Sequence, residues 1–450
     1  MGQGVLNQAR ARRTAPEARA RLEEEAGLAR VGGELHVGGV PLSAIADAAG
    51  TPTFVYHADV IRQRYRALDA ALAGLPHRIC FAVKANSSLA VLALLEQLGA
   101  GADIVSGGEL QRALRAGFPA GRIVFSGVGK TDEELDLAVR SGVGHIHLES
   151  VAELEALGRI TERQGRRATV GIRVNPDVTA DTHPFIATGQ GGIKFGLPAD
   201  QVAPAIDRIR RSPYLRLTCL AMHIGSQLRE PAPYAEGLSK LVALVEKARR
   251  AGVTTLDAID LGGGLGIRYG AEPGMDVVRF AETLRPFLGP LGLTVYLEPG
   301  RYLVGPAGVL LTEVLYRKHS GGRDFVVVDA AMNDLLRPSL YQAYHGIVEV
   351  EAKGRPVAPV DVVGPVCETG DFLAVGRPLP GVEPGERLAV LGAGAYGFVM
   401  SSNYNTRARA AEVLVSDGRW AVVRPRESVD ELFKTEAVDP FTPVTVGKPR

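Results

Sequence analysis

Residues 79–116 read ICFAVKANSSLAVLALLEQLGAGADIVSGGELQRALRA, and this stretch sets the pattern of the chain up to residue 298. A short apolar run, 79–83, is followed by apolar residues at helical spacing over 89–98. A second run, 102–105, is followed by a second helical pattern over 109–116. Strand, helix, strand, helix in this order marks a parallel βα repeat. Further short runs rich in β-branched residues follow at 123–126, 145–148, 168–174, 217–222, 258–261 and 294–297. Eight such strands predict a closed α/β barrel of the TIM type, with an open doubly wound sheet as the alternative.

After Glu298 the texture changes. Strand-like runs at 309–316, 325–329, 361–363, 387–391 and 411–415 follow one another with turns between them, which predicts a mostly β C-terminal domain. The early run 34–37, with 53–56 leading into the barrel, is expected to join that domain. The expected organisation is a charged, helical N-terminal arm (1–33), strands joining the β domain (34–56), the barrel (57–305) and the C-terminal β domain (306–450).

Across 450 residues, 51 basic side chains balance 50 acidic ones, which excludes a nucleic-acid or membrane-surface partner recruited by net charge. No stretch is long and apolar enough to span a bilayer, and the arginine-rich start has no apolar core of signal-peptide length. The three cysteines, Cys80, Cys219 and Cys367, are too widely spaced for a disulfide framework or a CxxC metal site. A cytoplasmic protein without a bound metal is expected.

In a barrel of this type chemistry collects where strands end and βα loops begin. Here those positions are polar: Lys84, Ser106 with Asp103 inside the strand, Glu149, Arg173 and Asn175, His223, Gly262-Gly263-Gly264, and Glu298. Lys84 follows Phe81-Ala82-Val83, so its amine enters the mouth from an apolar strand, where desolvation lowers an amine pKa and favours Schiff-base formation with an aldehyde. A lone lysine is more often a strand cap. The glycine triplet has no side chains to keep a phosphate from backbone N–H groups, although a tight turn needs the same residues. His223 offers a flat ring for stacking, or a core histidine satisfied by a carbonyl; Ser226 adds a hydroxyl within reach of the phosphate. In Glu298-Pro299-Gly300-Arg301 a carboxylate able to keep a pyridine nitrogen protonated precedes an arginine able to grip a carboxylate, or to pair with Glu298 itself. The later segments 332–341, 367–371 and 394–397 offer an anion-binding arginine, a carboxylate, a thiol and a phenol.

From about Phe54 to Val415 the chain resembles the pyridoxal-phosphate (PLP) dependent decarboxylases with an alanine-racemase-like barrel. The likeness is carried by 81–86 (FAVKAN), 223–227 (HIGSQ), 298–301 (EPGR), Arg337-Pro338 with Tyr341, Cys367-Glu368, and 400–405 (MSSNYN). Thr369 stands where the family usually has serine, and the N-terminal arm is longer than typical. The resemblance implies PLP as cofactor, Lys84 as the Schiff-base lysine, His223 as the stacking ring, and Gly264 with Gly262 and Gly263 at the phosphate. It further implies that Glu298 pairs with the pyridinium and that Tyr396 contacts the cofactor near the phosphate and the substrate; Asp103, Arg173, Ser226, Pro299, Gly300 and Arg301 complete the expected cofactor set. Arg301, Arg337 and Tyr341 would bind the distal carboxylate of the substrate and Glu368 its distal ammonium. Cys367 would serve as a proton carrier, with Cys367 and Glu368 reaching the partner's barrel in a homodimer with shared sites. The implied substrate is meso-diaminopimelate and the implied product L-lysine. A decarboxylase for ornithine, arginine or carboxynorspermidine, a racemase, or a catalytically silent binding protein are the alternatives.

Overall fold

The computed structural model describes residues 16–178 and 194–438. Residues 1–15 of the expected arm and the end of the 306–450 segment lie outside them. A helix, α1 (Pro16–Glu25), leads into a three-stranded antiparallel sheet of β1 (Leu28–Val31), β2 (Glu34–Val37) and β3 (Val40–Pro41), followed by β4 (Thr53–His57). Eight parallel strands then close a barrel: β5 (His77–Ala82), β6 (Gly101–Ile104), β7 (Ile123–Phe125), β8 (His145–Leu148), β9 (Ala168–Arg173), β10 (Leu215–Ala221), β11 (Ala258–Asp260) and β12 (Thr294–Leu297). Each of the eight apolar runs falls on one strand, to within two residues at either end. The open sheet is excluded because β12 pairs in parallel with β5, Leu297 opposite Ile79, which seals the ring.

The helical patterns at 89–98 and 109–116 become helices Leu89–Gln97 and Gly107–Arg115. Ser106, one of the polar strand ends, is the N-cap of the second: its Oγ accepts from the Glu109 N–H at 3.1 Å. That position is explained by helix initiation.

The remaining strands are β13 (Gly308–Ser320), β14 (Arg323–Val328), β15 (Ile347–Glu349), β16 (Val357–Val363), β17 (Phe372–Pro380), β18 (Arg387–Leu391), β19 (Ala411–Ser416) and β20 (Arg419–Arg424). They form one sheet with β4, which runs antiparallel to β13 and parallel to β19. β2 does not enter this sheet. It pairs with β1 and β3, touches the larger sheet through one bridge from Glu34 to Glu351, and packs Leu35 and Val37 against Val55, Val309 and Leu311. A short strand with alternating burial seals one face of the sheet without extending its edge. Among the described residues no helix is long and apolar enough to cross a membrane.

Candidate active site

Lys84 sits on a tight turn, Val83–Ala85, directly after β5. Two loops clamp that turn. The Pro299 carbonyl accepts from the Ala82 N–H at 3.3 Å, and the Ala85 carbonyl accepts from the Tyr396 N–H at 2.8 Å. Gly300 is needed here, because a Cβ on it would lie 2.8 Å from the Ala85 Cβ. The amine donates to Asp103 Oδ2 at 2.9 Å, with Asp103 fully buried and 38% of the Lys84 side-chain surface open to the mouth. Burial alone pulls this amine down, but Asp103, Tyr396 and Glu298 together outweigh it and raise it above the ordinary lysine value. The expected desolvated, low-pKa lysine is therefore replaced by an ion-paired ammonium.

Below the mouth lies a buried acid cluster. His147, Asp260 and Glu298 bring ligand atoms within 4.8 Å of one another. Ser126 Oγ donates to Glu298 Oε1 at 3.1 Å, and a hydrogen bond joins the Asp260 and Glu298 carboxyls. Burial, reinforced by neighbouring acids, drives both carboxyls up, so the pair holds a proton between them. Burial also holds His147 neutral, with His145, Lys130 and Arg173 adding to it. Asp103 Oδ1 and His147 Nε2 are buried and without hydrogen-bond partners.

The glycine triplet joins the strands around this cluster. A Cβ on Gly263 would meet the Glu298 carbonyl at 2.2 Å, and one on Gly264 the Gly225 carbonyl at 2.2 Å. The Gly262 N–H donates to Asp260 Oδ1 at 2.7 Å and the Gly263 N–H to His223 Nδ1 at 3.1 Å. Among the described residues the Gly264 N–H makes no hydrogen bond, so it is the one amide of the three left open to a ligand. Burial, then Arg173 and Lys84, keeps His223 well below the ordinary histidine value. Its Nδ1 accepts, so Nε2 carries the hydrogen and the ring is neutral. Arg173 pairs with Glu149 at 2.8 Å, and Glu149 also accepts from the Gly127 and Gly196 N–H groups.

The other side of the mouth is basic. Arg301 donates to Tyr269 Oη at 2.8 Å and to Ser226 Oγ at 3.0 Å, and its guanidinium lies 4.7 Å from the Tyr396 ring centroid. Arg301 does not pair with Glu298, whose partners are Ser126 and Asp260. Arg337, from the segment after β14, donates to His345 Nε2 at 2.8 Å and lies 4.5 Å from the Tyr269 ring centroid. Tyr341 follows on the same short helix, Arg337–Tyr341. Cys367 and Glu368 stand apart. Their polar contacts among the described residues stay within their own loop and with Asn405, and Cys367 is exposed.

Ser126, Asp260, His147, Tyr269 and His345 escaped the sequence reading, Ser126 as the end of the run 123–126. Asp260 and His147 are polar residues inside apolar runs, which was a usable signal: alternation in a strand turns them inward. Tyr269 and His345 lie in loops and carried none.

An amine, a buried protonated carboxyl pair, an open glycine amide and a neutral flat ring at one barrel mouth fit pyridoxal phosphate, whose aldehyde, pyridine nitrogen and phosphate Lys84, Glu298 and Gly264 would hold. Asp103 Oδ1, buried and without a partner beside Lys84, is open to such an occupant. Fold and site thus define a PLP-dependent barrel enzyme. Residues 58–305 match the family of pyridoxal-dependent decarboxylases through its pyridoxal binding domain. The chain is 50% identical over 410 residues to the diaminopimelate decarboxylase of Pseudomonas fluorescens, spanning 91% of this chain and 98% of the relative. It is 46% identical over 403 residues to that of Aquifex aeolicus, spanning 89% and 95%. The crystal structure of diaminopimelate decarboxylase from Helicobacter pylori complexed with L-lysine superimposes with a TM-score of 0.85 at 38% identity, covering 87% of this chain and 98% of that one. The chain belongs to the diaminopimelate decarboxylase family of pyridoxal-dependent decarboxylases.

Proposed function

We propose that this chain decarboxylates meso-2,6-diaminopimelate to L-lysine and carbon dioxide, the last step of lysine biosynthesis. The observation that carries the substrate is the pair of buried arginines, Arg301 and Arg337, without a carboxylate partner among the described residues. A substrate with a second carboxylate neutralises that pair; ornithine or arginine does not.

Bound at the mouth, pyridoxal phosphate supplies the sink for the electron pair left when the α-carboxylate departs as carbon dioxide. Lys84 would hold the group's aldehyde and release it to the substrate amine, and Asp103, 2.9 Å from Nζ, would aim the amine and take up or return its proton. Glu298, hydrogen-bonded by Ser126 and sharing a proton with Asp260, holds a proton at the pyridine nitrogen. His223 offers its neutral face to the ring, and Arg173, fixed by Glu149, adds positive potential beside it. Gly264, with the shape of Gly262 and Gly263 around it, takes the phosphate; Pro299 and Gly300 keep the Lys84 turn against it. Tyr396 and Tyr341 line the substrate side. The reaction takes up a proton at the carbon that loses its carboxylate, delivered by Lys84 Nζ or by Cys367 Sγ.

The exposed Cys367-Glu368 loop supports a homodimer in which each pair completes the partner's site, Glu368 meeting the distal ammonium. Free thiols at Cys80, Cys219 and Cys367 support a cytoplasmic location. Carbon dioxide release from a panel of diamino acids, with and without added PLP, tests the reading. Release from meso-diaminopimelate alone, dependent on PLP, is expected; preferential release from ornithine or arginine overturns the substrate.

A further inference from the structure

Two guanidiniums held in a protein interior repel each other and need directional partners to stay in place. Arg301 and Arg337 are only 7% and 6% exposed, and their partners are neutral: Tyr269 and Ser226 for the first, His345 for the second. Tyr269 is common to both, lying under Arg337 and hydrogen-bonded to Arg301. His345 meets the Tyr269 ring edge-on at 5.3 Å between centroids.

The tautomer of His345 follows from its contacts. Nδ1 faces the Leu391 carbonyl at 2.8 Å, which can only accept, so Nδ1 carries the hydrogen and the Nε2 lone pair receives Arg337. Burial, with Arg337 next, holds this ring neutral. An imidazolium there would have no lone pair to offer.

Both residues are fixed from behind. The Tyr269 ring lies 3.2 Å from where a Cβ on Gly392 would stand, and the neighbouring Arg268 donates to Glu25 of α1 at 2.7 Å. Leu22 of α1 lies against Gly346, next to His345.

We propose that Tyr269 and His345 form a neutral brace that holds the Arg301–Arg337 fork aimed before the distal carboxylate of the substrate arrives. The proposal rests on the reading of that fork as the carboxylate site. Tyr269 and His345 are positioning residues: they touch the arginines, and through them set affinity for the far end of the substrate.

The test uses the PLP-loaded full chain with meso-diaminopimelate and four variants: Tyr269→Phe, His345→Leu, His345→Gln and Arg337→Ala. Loss of one hydrogen bond to a buried cation raises KM by about ten- to a hundredfold. Tyr269→Phe and His345→Leu are expected to do this with kcat within about threefold and PLP affinity, read by absorbance titration of the apoenzyme, unchanged. His345→Gln keeps an acceptor for Arg337 and is expected to recover most of the loss. If Arg337→Ala raises KM while Tyr269→Phe and His345→Leu leave it unmoved, the brace is wrong and the fork stands. If Arg337→Ala leaves KM unmoved, the carboxylate reading and the brace fall together. Should His345→Leu fail to fold, Tyr269→Phe alone decides, since it keeps the ring and removes only the hydroxyl.

Discussion

The two sides of the barrel mouth solve the problem of buried charge in opposite ways. On the acid side, Asp103 pairs with Lys84, and Asp260 and Glu298 share a proton, so charge is neutralised inside the protein. On the basic side, Arg301 and Arg337 rest against neutral groups, and their charge is left for a ligand to neutralise. The acid side is built entirely from strands and strand ends of one barrel. The basic side combines barrel loops with the segment after β14. A side that balances itself can hold a permanent cofactor; a side that stays unbalanced can recognise a substrate that comes and goes.

The contrast can be broken most severely at Lys84. Lys84→Ala removes the amine and leaves Asp103 buried without its partner; kcat is expected to fall by about a thousandfold or more, while the arginine side still binds a dicarboxylate such as pimelate in a calorimetric titration. Turnover near the wild-type rate would separate the acid side from the chemistry.

The shared proton gives a second, intermediate effect. A carboxyl raised in the folded state stabilises the fold fully below its ordinary value near 4, and this contribution is lost as pH rises toward the raised value. Apoenzyme carrying Asp260→Asn has no such loss from residue 260. Thermal melts across pH 4 to 8 are therefore expected to show the variant gaining on wild type as pH rises, by roughly 1 kcal/mol per pH unit at most. Parallel curves for the two proteins would mean that no proton is held there.

The smallest effect is expected at α1. Glu25, which solvent still reaches, accepts from the buried Arg268 and from the partly buried Arg64; pairs open to solvent on one side are each worth about 1 kcal/mol. Glu25→Ala is expected to lower the melting temperature slightly and to raise KM for diaminopimelate less than about fivefold, with PLP affinity unchanged. An effect on PLP binding instead would tie the helix to the acid side.

How much was legible in the sequence differs between the two sides for the same reason. The acid side lies on strands whose apolar runs were readable one at a time, and Lys84, His223, Gly264 and Glu298 each mark the end of such a run. Asp260 and His147 were readable on the same ground, as polar residues within apolar strands. Tyr269 and His345 were not, because nothing local distinguishes a loop tyrosine or histidine from a solvated one. The run at 34–37 packs on the β domain as a small sheet of its own: its alternation shows that one face is buried, but not whether the strand lies on the larger sheet or within it.

The sequence by itself therefore determined the eight βα strands and the chemical character of the strand ends, since the apolar pattern of a strand is a local property; closure was decided by the pairing of β12 with β5. Only the tertiary structure decided the charge of the Lys84 amine, the sharing of a proton by two carboxyls, and the neutral partners of the arginine fork. Those depend on distances between segments up to hundreds of residues apart, and such distances are set by packing.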